Sequence, residues 1–159
     1  MNFLPHRRLS AHEIEQLSSP YLSEGRKQDT WQIVDVQIED KHLSAKVCMR
    51  TTYVSSTDAK GFHLSINSAM EFVPQLAIIY FHVWAGLSKK TREVWMVEFN
   101  TRSVRSIRNS QAIQVDMTVQ TMRRRGEQFY CVADFRVTDD QDGLFEIRVK
   151  GFVPQGETR

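Results

Sequence analysis

The chain has 159 residues, of which 41% are hydrophobic and 10% aromatic, and a formal net charge of +2 at pH 7. That supplies one packed core and predicts a single domain over residues 1–159, while the small cationic excess does not mark a nucleic-acid binder. The opening Met1-Asn-Phe-Leu-Pro-His-Arg-Arg8 has no apolar stretch of signal-peptide or membrane-spanning length, so a cytoplasmic protein without membrane attachment is expected.

In chain order, Ala11 to Leu17 is patterned as a short helix, with Ser10 as N-cap and Glu13 three residues on completing a capping box. Residues 18–30 contain Pro20, Gly25 and several charges and form a connecting loop. Trp31 to Ile38 and His42 to Tyr53 alternate on either side of Glu39-Asp40-Lys41, which predicts a β-hairpin. A loop over Ser55 to Gly61 leads into a helix-shaped block, Gly61 to Phe81, apolar on nearly every side from Ala69 to Trp84, with Gly86 at its end. Four further strands follow, Glu93–Ile107, Ala112–Met122, Gln128–Thr138 and Leu144–Val153, separated by Asn109-Ser110, Arg125-Gly126 and the Asp139–Gly143 cluster.

Alternation puts Ile113, Val115, Met117 and Val119 on the core face of their strand, opposite Gln114, Asp116, Thr118 and Gln120. Two strands, one long helix and four strands give an α+β fold, the hotdog arrangement: an antiparallel sheet of about six strands wrapped around one central helix. Such a sheet leaves an edge to be covered. The helix is also so apolar that one six-stranded sheet is not expected to cover Phe72, Leu76, Ile79 and Tyr80 unaided. Both points predict a homodimer or a dimer of dimers.

The polar residues of the helix gather at its start: His63, Ser65, Asn67, Ser68 and Glu71, then Gln75. A helix start offers unpaired backbone N–H groups and the positive end of the dipole, which suit a carbonyl oxygen that gains negative charge. Glu71 within an apolar helix is expected either to find a polar partner or to serve chemistry near water. Ser65 and Asn67 have a plain alternative as caps, His63 as a structural hydrogen-bond donor, and Pro74 is expected to bend the helix. Arg102, Arg105 and Arg108 recur every third residue and Arg123–Arg125 close a hairpin. An aromatic platform interleaved with them, which nucleic-acid recognition needs, does not show in the sequence. Arg105 and Arg108 are candidates for the phosphates of a substrate. His6, His12, His42, His63 and His82 have no metal-ligand spacing, and Cys48 and Cys131 fall within strands as buried thiols.

Laid without gaps, Ser56 to Glu71 resembles the signature loop of hotdog acyl-carrier-protein dehydratases, whose Glu and following Gln meet Glu71 and Gln75. Their histidine position is occupied here by Thr57, which weighs against dehydration. Over roughly Pro20 to Val119 the chain resembles the FcoT-like long-chain acyl-CoA thioesterases more closely. The resemblance rests on Pro20-Tyr21, Thr52-Tyr53-Val-Ser-Ser-Thr57, His63, Gln75-Leu-Ala77 and Ser103-Val-Arg-Ser-Ile-Arg-Asn109. It implies roles for Tyr21 and Tyr53 at the thioester; the two asparagine positions of that pattern meet Ser65, with Asn67 a short step away, and Pro74. The implied activity is hydrolysis of acyl-CoA or acyl-carrier-protein thioesters without a cofactor, coenzyme A or phosphopantetheine being part of the substrate. Dehydration or isomerisation of a carrier-bound hydroxyacyl group, and acyl-thioester binding without catalysis, are the alternatives.

Overall fold

The computed structural model describes residues 5–18, 30–52 and 58–154. Its elements are β1 (Arg7–Arg8), α1 (Ala11–Leu17), β2 (Trp31–Glu39), β3 (His42–Met49), α2 (Ile66–Trp84), β4 (Trp95–Arg105), β5 (Ile113–Arg125), β6 (Gln128–Thr138) and β7 (Leu144–Pro154). The strands make one antiparallel sheet in the order β1-β2-β3-β5-β6-β7-β4. After β3 the chain leaves the sheet, runs through α2, and returns as β4 at the far edge beside β7. This is the expected hotdog arrangement, with seven strands where about six were expected. The addition is β1, too short and polar to announce itself, which pairs Arg7 with Ile38 and Arg8 with Gln37 at the other edge.

Helix α2 begins later than its pattern implies. Gly61 to Leu64 are loop, because Ser65 takes the N-cap: its backbone is extended and its Oγ accepts the N–H of Ser68 at 3.0 Å. The far end closes one residue before Gly86. Ala85 is the C-cap, while Gly86, at φ +73°, sends its N–H to Val83 O and Leu87 sends its own to His82 O. These two bonds satisfy carbonyls that a straight helix would leave open. Pro74 sits buried inside a helix that runs on through it. The short α1 has the expected capping box, Ser10 and Glu13 bonding each other's backbone N–H groups.

Every residue of α2 from Phe72 to Val83 is buried within the single chain; Phe72, Leu76 and Ile79 are 0% exposed and Tyr80 is 2%. The expectation that one sheet could not cover the helix is therefore corrected. Strands β2 to β7 each contribute inward residues, including Ile113, Val115, Met117 and Val119 as the alternation predicts, and Ile14 and Leu17 of α1 join them. Tyr80 keeps its hydroxyl satisfied by donating to Asp40 O at 2.7 Å, and burial pushes its pKa up to about 12. Cys48 and Cys131 are buried free thiols, and burial raises that of Cys131 to about 12.

The segment between β4 and β5 passes over the start of α2, where Leu64 donates its N–H to Ile107 O at 2.9 Å. Gly143 lies against this segment: a Cβ there would stand 2.6 Å from Ile107 Cα and 2.7 Å from Asp139 Oδ1. Gly143→Ala is expected to destabilise the protein by about 1–3 kcal/mol through overpacking. Urea unfolding checks this, and an unchanged midpoint would show that the segment yields without cost.

Candidate active site

From Phe72 onward α2 is closed in until Trp84, so solvent meets it at its first turns and at its very end. Ile66 and Met70, four residues apart, are 41% and 40% exposed. Asn67 is exposed and Glu71 half-buried, again four residues apart. Spacing of four places each pair on one line, so an apolar stripe and a polar stripe lie side by side on the accessible start of the helix. Of its first backbone N–H groups, that of Ser68 is taken by Ser65 Oγ, while those of Ile66 and Asn67 have no partner among the described residues.

Glu71 is anchored by a neighbour that the sequence did not single out. Its Oε2 accepts the indole N–H of Trp31 at 2.7 Å, and Trp31 stands edge-on to Phe72 with ring centroids 6.1 Å apart. A carboxylate has about four lone-pair sites, so this bond fixes the side chain while leaving Oε1 for a further donor. Ser65 and Ser68 meet through their hydroxyls at 2.8 Å. Gln75, one turn deeper than Glu71, is 1% exposed.

The loop entering the helix is organised by Asp58. One of its oxygens accepts from Arg108 Nη1 at 2.6 Å and lies 2.8 Å from His63 Nδ1, while the other accepts the Lys60 N–H. Arg108 also donates to Phe62 O at 3.3 Å. The Arg108 hydrogen bond above all, then those from Lys60 and His63, hold the Asp58 pKa at about 2 against an ordinary 3.8. An ionised carboxylate only accepts, so His63 donates to Asp58 through Nδ1. Asp139 ties the neighbouring turns together by accepting the N–H groups of Arg108, Asn109, Gln141 and Gly143. Burial acts against its charge, but those four bonds prevail and lower its pKa.

The structure thus brings Ser65, Asn67, Ser68 and Glu71 together on one helix start, with His63 in the loop just before it. Arg105 and Arg108 do not form an open cationic rim. Arg105 donates to Asp142 O at 2.6 Å across the β6–β7 turn, and Arg108 is held by Asp58. Tyr21 and Tyr53 lie outside the described residues, as does Thr57. Trp31, Asp58 and Asp139 are what residue-by-residue reading missed, since their partners lie 40, 50 and up to 31 residues away in the chain. Among the described residues no group of three His, Cys, Asp or Glu side chains could hold a metal ion, and no helix is long and apolar enough to cross a membrane.

No protein-family model matches the chain, and no curated protein matches it. Solved structures do share its architecture. A hypothetical thioesterase of Streptococcus pneumoniae, solved with coenzyme A, matches with a TM-score of 0.53 and 10% identity, covering 80% of this chain and 92% of that one. A Streptococcus mutans protein bound to acetyl-CoA gives 0.52 and 12% over 84% and 97% of the two chains. A mutant thioesterase of Pseudomonas aeruginosa gives 0.51 and 15% over 79% and 81%. At such identities the likeness is one of fold, and the fold is the hotdog that the strand order displays.

Asp58→Asn removes the carboxylate that His63 and Arg108 share and is expected to lower stability. A depressed carboxylate pKa contributes stability that is present above 3.8 and lost as pH falls through about 2. The melting-temperature gap between wild type and variant is therefore expected to hold above that range and to close toward pH 2. A gap independent of pH would mean that the Asp58 charge is not what matters.

Proposed function

We propose that the protein hydrolyses acyl thioesters at the start of α2, with fatty acyl-CoA or an acylated carrier protein as substrate. The observation that carries this reading is the pair of stripes: Ile66 and Met70 offer an apolar path for an acyl chain, and Asn67 and Glu71 stand beside it at the height of the unpaired N–H groups. Two proteins of the same fold solved with coenzyme A or acetyl-CoA support the choice of thioester. The resemblance to FcoT-like thioesterases agrees, and in that reading Tyr21 and Tyr53 flank the substrate.

In this mechanism the Ile66 and Asn67 N–H groups hold the thioester oxygen as it gains charge, assisted by the positive end of α2. The loss of one such donor typically costs about 3 kcal/mol of transition-state stabilisation. Glu71, fixed through Oε2 by Trp31, takes a proton from water through Oε1 while the water oxygen attacks the carbonyl carbon. Collapse of the tetrahedral intermediate breaks the carbon–sulfur bond, and the departing thiolate receives that proton. His63, oriented by Asp58, is a second base for the same water. Ser65 and Ser68 hold the helix start in place. Gln75 touches only a substrate that enters the core, and Arg105 and Arg108 reach phosphates only by sharing their present carboxylate partners.

Glu71→Gln is expected to keep the fold and to lower the rate of thiol release by a factor on the order of 100 or more, with little change in substrate affinity. Release of water from a hydroxyacyl thioester, with the thioester intact, would replace hydrolysis by dehydration. Unaltered turnover in the variant would remove Glu71 from the chemistry.

The open edge of β4, with Met96 43% and Val97 63% exposed, supports a homodimer formed by strand pairing. Light scattering at micromolar concentration is expected to give twice the 18.5 kDa chain mass, or four times it if dimers associate. An active monomer would contradict the dimer.

A further inference from the structure

The outer face of the sheet, the one turned away from α2, is largely a field of matched charges. Arg148 grips Asp134 with two bonds of 2.6 and 2.8 Å, Lys150 meets Glu98 at 2.8 Å, and Arg102 approaches Glu146 at 4.0 Å. At one end this pattern stops. Register there sets Trp95 opposite Phe152, Phe152 opposite Tyr130, and Tyr130 opposite Arg123, so four strands lay three aromatic side chains and an arginine in one row. Trp95 is 66% exposed, and Phe152 and Tyr130 are half-buried with ring centroids 5.5 Å apart. The Arg125 guanidinium lies 5.3 Å from the Tyr130 ring centre. Neither Arg123 nor Arg125 has a carboxylate partner among the described residues, although Glu127 is exposed in the adjoining turn.

Exposed aromatic faces attract flat rings, and arginines with spare donors attract phosphate. A ligand that satisfies both has a planar base and more than one negative charge. We propose that Trp95, Phe152, Tyr130, Arg123 and Arg125 form a binding site for a phosphorylated purine nucleotide, the base resting on the aromatic row and the phosphates on the arginines. The interleaving of aromatic and basic residues that is invisible along the chain is made here by strand register.

Two sources supply this chemistry: a free nucleotide, or the nucleotide end of coenzyme A, the latter resting on the hydrolase reading above. The row lies at the α2 end marked by the Trp84–Phe129 ring contact, so the start of its own helix is about 27 Å away at 1.5 Å per residue. That span is too long for a pantetheine arm. Antiparallel pairing of β4 with a second copy, however, carries the row to the end of the dimer at which the partner's α2 begins. With the row on the outer face and α2 on the inner one, a row that holds the end of coenzyme A reaches the partner's thioester round the strand ends.

Tryptophan fluorescence titrated with ADP and with adenosine 3′,5′-bisphosphate tests the site without reference to activity. Saturable quenching is expected that disappears in Trp95→Leu and is weakened at least about tenfold in Arg123→Gln/Arg125→Gln, both being surface changes checked for folding by circular dichroism. Quenching that is absent in the wild type, or unaltered in the double variant, overturns the site, and so does tighter binding of a single-stranded oligonucleotide than of ADP. The source follows from the double variant's ratio of kcat/KM for acyl-CoA to that for an acyl N-acetylcysteamine thioester. A ratio at least tenfold below wild type assigns the coenzyme end, and recovery of that ratio on mixing with Glu71→Gln subunits assigns the partner's site; an unchanged ratio assigns a free nucleotide. Should no thiol be released from either thioester by the wild type, the hydrolase reading falls while the fluorescence result still decides the site.

Discussion

A helix that is apolar on nearly every side has one stable place in water, inside something, and α2 determines most of what surrounds it. Twelve consecutive residues, Phe72 to Val83, are buried in a single chain. Covering all sides of a cylinder takes a sheet that bends round it, and here strands from both halves of the sequence contribute inward side chains. A fully buried Leu, Ile or Phe side chain contributes about 1.5–3 kcal/mol relative to exposure, so no other single element adds as much to the core. The crossing from β3 through α2 to β4 follows from the same demand, because the helix must enter beneath one part of the sheet and leave at its far edge.

The same constraint leaves the start of α2 open, where the proposed site lies. With the middle of α2 closed off, its start is where the helix offers solvent both apolar contact and N–H groups that no described residue takes. The carboxylates around it act as fasteners. Asp58 joins the entering loop to Arg108 and His63, and Asp139 gathers four backbone N–H groups from two turns. Glu71 differs, since among the described residues it bonds Trp31 alone, through Oε2. Held by an aromatic N–H and half-buried, Glu71 has the orientation that the proposed base requires.

Much of this was legible in the chain. Alternation in Ile113 to Gln120 gave the inward face correctly because the strand has one dry side, and the Ser10–Glu13 box marked α1 because both halves of the cap are local. What resisted reading depends on distant contact. β1 exists only because β2 offers it an edge. The start of α2 was placed too early because Gly61 to Leu64 share its apolar tone while Ser65 alone captures Ser68. Arg105 and Arg108 read as an open basic edge, since their carboxylate partners come from Asp142 and Asp58, far away along the sequence. The row of Trp95, Phe152 and Tyr130 escapes notice for the same reason, as its members are neighbours only through register.

The central claim is that a thioester is placed at the start of α2, and a crystal structure with a non-hydrolysable acyl-thioether analogue of coenzyme A tests it most directly. The account predicts the acyl chain along Ile66 and Met70, with the reacting end within hydrogen-bond reach of the Ile66 and Asn67 N–H groups and of Glu71 Oε1. An analogue seated with its sulfur elsewhere, and the first turns of α2 still open to solvent, would contradict it.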